Sequence, residues 1–245
     1  MVKAYRTAIT THKEGKPYVR GYDLTKLAGK NSFASTIYLI LKGGLPDEKS
    51  EKMLDAILTI SIDHGVEPAS VVAARNIYSG GSPVQAAVAG GILAFGEYHG
   101  GAIEAAMENF KAYLERGPEA LIADFKAQDK RVAGFGHKLY DKDPRTKRLV
   151  ELAREFGFDG KYVKLAQSVE DEFAKAEKKL PLNVDGIIAA LLLEMGFDSK
   201  VGKGIFIIAR TPGLVAHVVE EATREKPVRR LSEEDVEYDG PAPRE

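Results

Sequence analysis

From residue 23 onward the apolar positions recur at three- and four-residue intervals, the period of an amphipathic helix. In "LPDEKSEKMLDAILTISIDHG", Met53, Leu54, Ile57, Leu58 and Ile62 share one face. Pro46, Asp47 and Glu48 mark the start of that helix and Gly65 its end. "EPASVVAARNIYSGG" stops at Gly80-Gly81, and "SPVQAAVAGGILAFGEYHGG" opens with Ser82 as N-cap and Pro83 at the first helical position. The same period predicts helices in "GAIEAAMENFKAYLERG", "TKRLVELAREFGF", "YVKLAQSVEDEFAKAEKKL" and "DGIIAALLLEMGF". A last helix, "TPGLVAHVVEEATREK", is expected to be capped by Thr211 with Pro212 behind it. Residues 7–20 read differently, as a hairpin turning at Glu14-Gly15-Lys16-Pro17. The expected fold is all-α with a short N-terminal β-hairpin, and residues 226–245 form a polar tail.

Composition narrows the function classes more than the fold. The 245 residues are 44% hydrophobic and 29% charged, enough apolar content for a proper core. A formal net charge of −1 gives no bulk reason to expect nucleic acid or an anionic membrane surface. No apolar run reaches the roughly 20 residues a spanning helix needs, and no apolar leader is seen, so a cytoplasmic location is expected. The absence of cysteine excludes disulfides, thiolate metal sites and cysteine nucleophiles.

One passage breaks the helical pattern. "VAGFGHKLYDKDPR", residues 132–145, sets Gly134, Gly136 and Pro144 too close together for a helix. His137 therefore sits on a loop, followed by Arg145 behind a proline. Of the other four histidines, His99 ("EYHGGA") and His64 ("DHG") stand at helix ends, whereas His12 lies in a hairpin arm and His217 inside an apolar helix. No His-x-Glu and no histidine pair at helical spacing is present, which argues against zinc. Asp185, between "LPLNV" and a strongly apolar helix, reads equally as an N-cap or as a partly desolvated carboxylate able to exchange a proton with carbon. Basic residues beside glycine or proline are Arg20, Arg145, Arg210 and Lys226, with Arg229-Arg230 close behind. Fixed guanidiniums of this kind suit a di- or tricarboxylate. Two histidines, one carboxylate and several arginines, with neither thiol nor metal, fit enolate chemistry on such a substrate.

The order "RGYD", "DHG", "YHGGA", "GFGHKLY…DPR", "NVDG", "ARTPGLVAH", "YDGP" resembles the citrate synthase superfamily over nearly the whole chain. The resemblance implies a helical fold with a large subdomain (about 1–100 and 200–245) and a small one (about 101–199). It implies a homo-oligomer, a dimer or dimer of dimers, and a coenzyme A thioester as substrate, with no permanently bound cofactor and no metal. Carried over by motif, His99 stabilises the thioester enolate, His137 contacts the oxaloacetate carbonyl or citryl hydroxyl, and Asp185 moves the proton on and off the acetyl methyl carbon. His64, Arg145 and Arg210 bind the dicarboxylate. Gly134, Phe135, Gly136, Lys138 and Lys142 are expected to contact CoA. The family's last substrate arginine comes from a neighbouring subunit and stands before a proline; here that position is Lys226, with Arg229 and Arg230 just beyond. The segment from His137 to Arg145 is one residue shorter than is usual in the family.

Typical citrate synthases are longer, with a helical insertion ahead of the "DH" motif. The compact form here is similar to stand-alone citryl-CoA lyases and to the C-terminal lyase module of ATP-citrate lyase, although the "YHGG" histidine is more like synthases. Three functions follow as alternatives. The first is citryl-CoA lyase, giving acetyl-CoA and oxaloacetate by retro-Claisen cleavage and depending on a separate citryl-CoA synthetase. The second is a compact citrate or 2-methylcitrate synthase. The third is a non-catalytic CoA-binding relic.

Overall fold

A computed structural model describes residues 5–136, 143–177, 180–242 and 244, and within them the helical period is realised as eleven α-helices and one small antiparallel sheet. Strands β1 (Thr10–Lys13) and β2 (Lys16–Val19) form the expected hairpin, with Lys13 opposite Lys16. Its two turn residues, Glu14 and Gly15, both have positive φ (52° and 74°), the conformation that matches strand twist. A third strand, β3 (Tyr22–Asp23), follows a second turn of the same kind at Arg20 and Gly21 (φ 50° and 85°). The Arg20 guanidinium donates from Nε and Nη2 to the Ile40 carbonyl, 3.0 and 2.9 Å away. Its role is to fasten the sheet to the first long helix.

The chain falls into two compact units, Met1–Ile62 with Gly96–Arg210, and Asp63–Phe95 with Thr211–Glu245. In the first unit, α1 (Leu24–Leu27) leads to α2 (Phe33–Lys42), α3 (Glu48–Ile60), α6 (Ala102–Tyr113), α7 (Gly117–Ala127), α8 (Pro144–Phe156), α9 (Lys161–Lys175) and α10 (Val184–Glu194). Asp47 caps α3, accepting from Ser50 N at 2.7 Å, as the Pro-Asp-Glu start implies. Helix α10 is the core: every residue from Gly186 to Leu193 is buried, and it packs on α6, α8 and α9. Burying each of its Ile and Leu side chains contributes about 1.5–3 kcal/mol. Helix α7, not among the predicted helices, begins at Gly117 (φ 82°) with Pro118 in its first turn.

The second unit contains α4 (Ala69–Ser79), α5 (Val84–Leu93) and the later part of α11 (Gly202–Arg224). The glycine pair in α5 serves packing. A Cβ on Gly90 would run into Ile77 Cδ1, and one on Gly91 would lie 2.9 Å from the Ser70 carbonyl and 3.1 Å from Leu214 Cδ2. The cap of α5 is Pro83 rather than Ser82, with no side-chain hydrogen bond. The helix expected to start at Thr211-Pro212 is instead part of α11, with Pro212 inside it. The preceding "GIFIIAR" supplies its own buried face (Ile205, Phe206, Ala209), so the helix forms ahead of the proline and continues through it. Among the described residues no helix is long and apolar enough to cross a membrane.

Candidate active site

The first unit carries most of the predicted catalytic positions. Asp185 occupies the first turn of α10, but the N-cap is Asn183, whose Oδ1 accepts from Asp185 N (3.0 Å) and Gly186 N (3.1 Å). The N-cap reading of Asp185 is thereby corrected. Asn183 takes that position because its backbone is extended (φ −96°, ψ 178°), leaving the half-buried Asp185 carboxylate at the electropositive end of the helix.

The Gly134-Phe135-Gly136 segment runs antiparallel to residues 181–183, with Phe135 bridged to Leu182. Gly136 N donates to the Pro181 carbonyl (2.8 Å) and Asn183 N to the Gly134 carbonyl (3.0 Å). Both glycines have φ near +89°, and a Cβ on Gly134 would stand 2.7 Å from Gly186 Cα. Gly134 thus comes into close backbone contact with α10, whereas a Cβ on Gly136 would stand 3.3 Å from Leu180 Cδ2. The Phe135 ring packs edge-on against Phe110 and Phe173, at 6.2 and 5.5 Å between centroids. His137, Lys138 and Lys142 lie outside the described residues.

Arg145 starts α8 together with Asp143 and Pro144. The Asp143 carboxylate, 2% exposed, accepts from Arg145 N (2.9 Å), Nε (3.1 Å) and Nη2 (2.7 Å). One edge of the guanidinium is held, which fixes the orientation of the rest. His99 precedes α6 and makes an edge contact with Phe206, 6.4 Å between centroids. The face of Phe206 takes the Arg210 guanidinium at 5.0 Å, and Arg210 Nε donates to the Ser61 carbonyl at 2.8 Å. Phe206 thus connects a predicted enolate-stabilising histidine to a predicted carboxylate-binding arginine. It was not a predicted site residue, although its position one helical turn before Arg210 in "FIIAR" is the available signal. Asn183 and Asp143 were also missed; each is a cap-forming residue directly before a helix.

The second unit carries His64, Lys226, Arg229 and Arg230, all exposed. His64 follows Asp63, whose Oδ2 accepts from Gly65 N (2.9 Å) and whose Oδ1 meets His217 Nε2 at 3.0 Å. Burial pushes the Asp63 carboxyl up, but the backbone N–H groups of Gly65 and His64 and the His217 ring hold it below the usual range. Of the three basic tail residues, Arg229 is engaged within its own unit. Its Nη2 lies 2.7 Å from buried Glu221, and its backbone N donates to Ser79 Oγ at 2.5 Å. Lys226 lines a cavity of about 610 Å³ with Tyr78, Ser82, Val84 and Glu225. Among the described residues no three His, Asp or Glu side chains converge as a metal site.

Residues 44–231 match the family model "Citrate synthase, C-terminal domain". The structure of citryl-CoA lyase from Hydrogenobacter thermophilus is similar to this chain with a TM-score of 0.94 and 49% identity, covering 99% of this chain and 97% of that one. Citrate synthase of Heyndrickxia coagulans is 32% identical over 196 residues, 78% of this chain and 52% of that protein. ATP-citrate synthase beta chain protein 2 of Arabidopsis thaliana is 31% identical over 211 residues, 76% of this chain and 34% of that protein. The chain therefore spans about half the length of the one curated relative and a third of the other. On the family match over most of its length, and on a helical fold shared from end to end with a solved lyase, this chain belongs to the citrate synthase family.

Proposed function

We propose that this chain is a citryl-CoA lyase, cleaving citryl-CoA to acetyl-CoA and oxaloacetate. The observation that carries the reading is the end-to-end likeness to the Hydrogenobacter thermophilus citryl-CoA lyase, at 49% identity and with neither chain exceeding the other appreciably. In the proposed reaction His137 takes the citryl hydroxyl proton, and the oxygen's electron pair becomes the carbonyl of oxaloacetate. The carbon–carbon bond breaks and its electron pair passes to the acetyl carbon as a thioester enolate. His99 donates a hydrogen bond to the enolate oxygen, a type of stabilisation worth about 3–4 kcal/mol. Asp185 then protonates the enolate carbon. Arg145 and Arg210, each oriented by neighbours in its own unit, hold carboxylates of the oxaloacetate half, and His64 completes that grip. Gly134, Phe135, Gly136, Lys138 and Lys142 are assigned to CoA.

The subdomains expected to close over substrate, about 1–100 with 200–245 and about 101–199, belong to the same proposal. So does a homo-oligomer, supported by an exposed apolar stripe on α11 formed by Pro212, Val215, Ala216, Val219 and Ala222. In such an assembly Lys226 and Arg230 are the tail cations left for a neighbour's substrate, since Arg229 pairs with Glu221. A lyase also requires a separate synthetase to make citryl-CoA, and a cytoplasmic location where that thioester is formed.

The similarity to citrate synthase of Heyndrickxia coagulans favours a second reading, a compact synthase using the same residues in reverse and then hydrolysing the thioester. Supplying acetyl-CoA and oxaloacetate and measuring free CoA separates the two. The lyase reading expects negligible CoA release; brisk release assigns the chain as a synthase.

A further inference from the structure

The histidine of "ARTPGLVAH", His217, has no part in the chemistry above, yet within the second unit it is tied to the residue that precedes His64. Its Nε2 lies 3.0 Å from Asp63 Oδ1. The other carboxylate oxygen of Asp63 accepts from Gly65 N at 2.9 Å, and the backbone N–H of His64 turns to the same carboxylate. Asp63 therefore holds the two peptide N–H groups that flank the His64 side chain. The turn closes at Gly65, whose φ of 85° is one that glycine adopts readily. An ionised carboxylate only accepts, so Nε2 carries the proton and donates. The ring's Nδ1 faces Glu220 Oε2 at 3.9 Å, and Arg75 Nη1 lies 3.7 Å from that same oxygen. The His217 side chain is 12% exposed and that of Asp63 38%, so the anchor is the imidazole on α11 and the held group is the turn.

We infer, on the citryl-CoA reading above, that His217 is a positioning residue. Through Asp63 it sets the backbone from which His64 reaches a carboxylate of the oxaloacetate half. Its effect belongs to substrate binding, because His64 is assigned to that grip and to neither proton transfer. Losing a contact made equally in ground state and transition state raises KM and leaves kcat alone.

His217→Leu removes the donor and keeps an apolar side chain at a half-buried helix position. On citryl-CoA it should raise KM about tenfold with kcat within about twofold of the parent. Amide hydrogen exchange over residues 63–66 should rise. His217→Gln, whose amide N–H can stand where Nε2 stood, should bring KM back to within about threefold of the parent. If His217→Leu does not fold, His217→Asn, whose amide falls short of Asp63, replaces it in every comparison. The decisive comparison uses a His64→Ala background. A residue that acts only through His64 has nothing to act on there, so His217→Leu leaves KM within about twofold of His64→Ala alone. A merely architectural contact raises KM by the same factor in both backgrounds. Equal factors in the two backgrounds, a KM within about twofold of the parent in His217→Leu, or unchanged exchange over residues 63–66 overturns the inference. If the parent protein leaves citryl-CoA intact, the lyase reading fails instead, and the exchange measurement, which needs no substrate, decides whether His217 holds the turn.

Discussion

Arg210 illustrates how a cationic side chain is kept in an interior at 4% exposure: a carbonyl takes its Nε and an aromatic ring takes its face. A buried guanidinium without such partners carries a desolvation cost of several kcal/mol. Asp143 does for Arg145 what Ser61 and Phe206 do for Arg210. In both cases neighbouring groups fix the orientation of the side chain. Asp185 is organised differently, because Asn183 has the capping role at its helix. Asp185→Asn should therefore lower kcat on citryl-CoA by about 10²- to 10⁴-fold, the range for losing a general acid or base. Its thermal midpoint should stay close to that of the parent. Turnover unaffected by that change contradicts the role given to Asp185.

At the scale of elements, the chain leaving α11 is clamped to α4 by one buried acid. Glu221, 2% exposed, receives Arg75 Nε at 2.6 Å and Arg229 Nη2 at 2.7 Å, and Val228 N donates to the Ser79 carbonyl at 2.9 Å. Burial pushes the Glu221 carboxyl up, but the hydrogen bonds from Arg229 and Arg75 outweigh it and hold the group below the ordinary glutamate range. A folded value below the unfolded one means stabilisation that is complete above the unfolded pKa and lost as pH falls through the folded one. Glu221→Gln should cost about 2 kcal/mol in urea unfolding near neutral pH, and the gap to the parent should close in acid. An equal gap at both pH values contradicts the clamp. Much of this level was legible in advance. The Pro-Asp-Glu start of α3, the hairpin and the apolar period of α10 were all visible, because each depends on neighbours within a few residues. The continuity of α11 through Pro212 was not, since burial of Ile205 and Phe206 decides it. The choice of Asn183 over Asp185 as cap was hidden for a similar reason: both side chains are competent, and the backbone angle selects between them. His99, Asp185 and Arg210 were singled out through motifs, whereas Phe206, which links His99 to Arg210, is visible only once the rings are placed.

For the whole molecule, length is the informative property. The chain covers about half of a citrate synthase and a third of an ATP-citrate synthase beta chain, yet nearly all of a citryl-CoA lyase. The proposed chemistry uses the cleavage half of the family's reaction, with the thioester left intact as product. The most direct measurement is a product analysis of purified protein given citryl-CoA. The account predicts acetyl-CoA and oxaloacetate in equal amounts with no free CoA. Citrate and free CoA as the products, or citryl-CoA left unchanged, would contradict it.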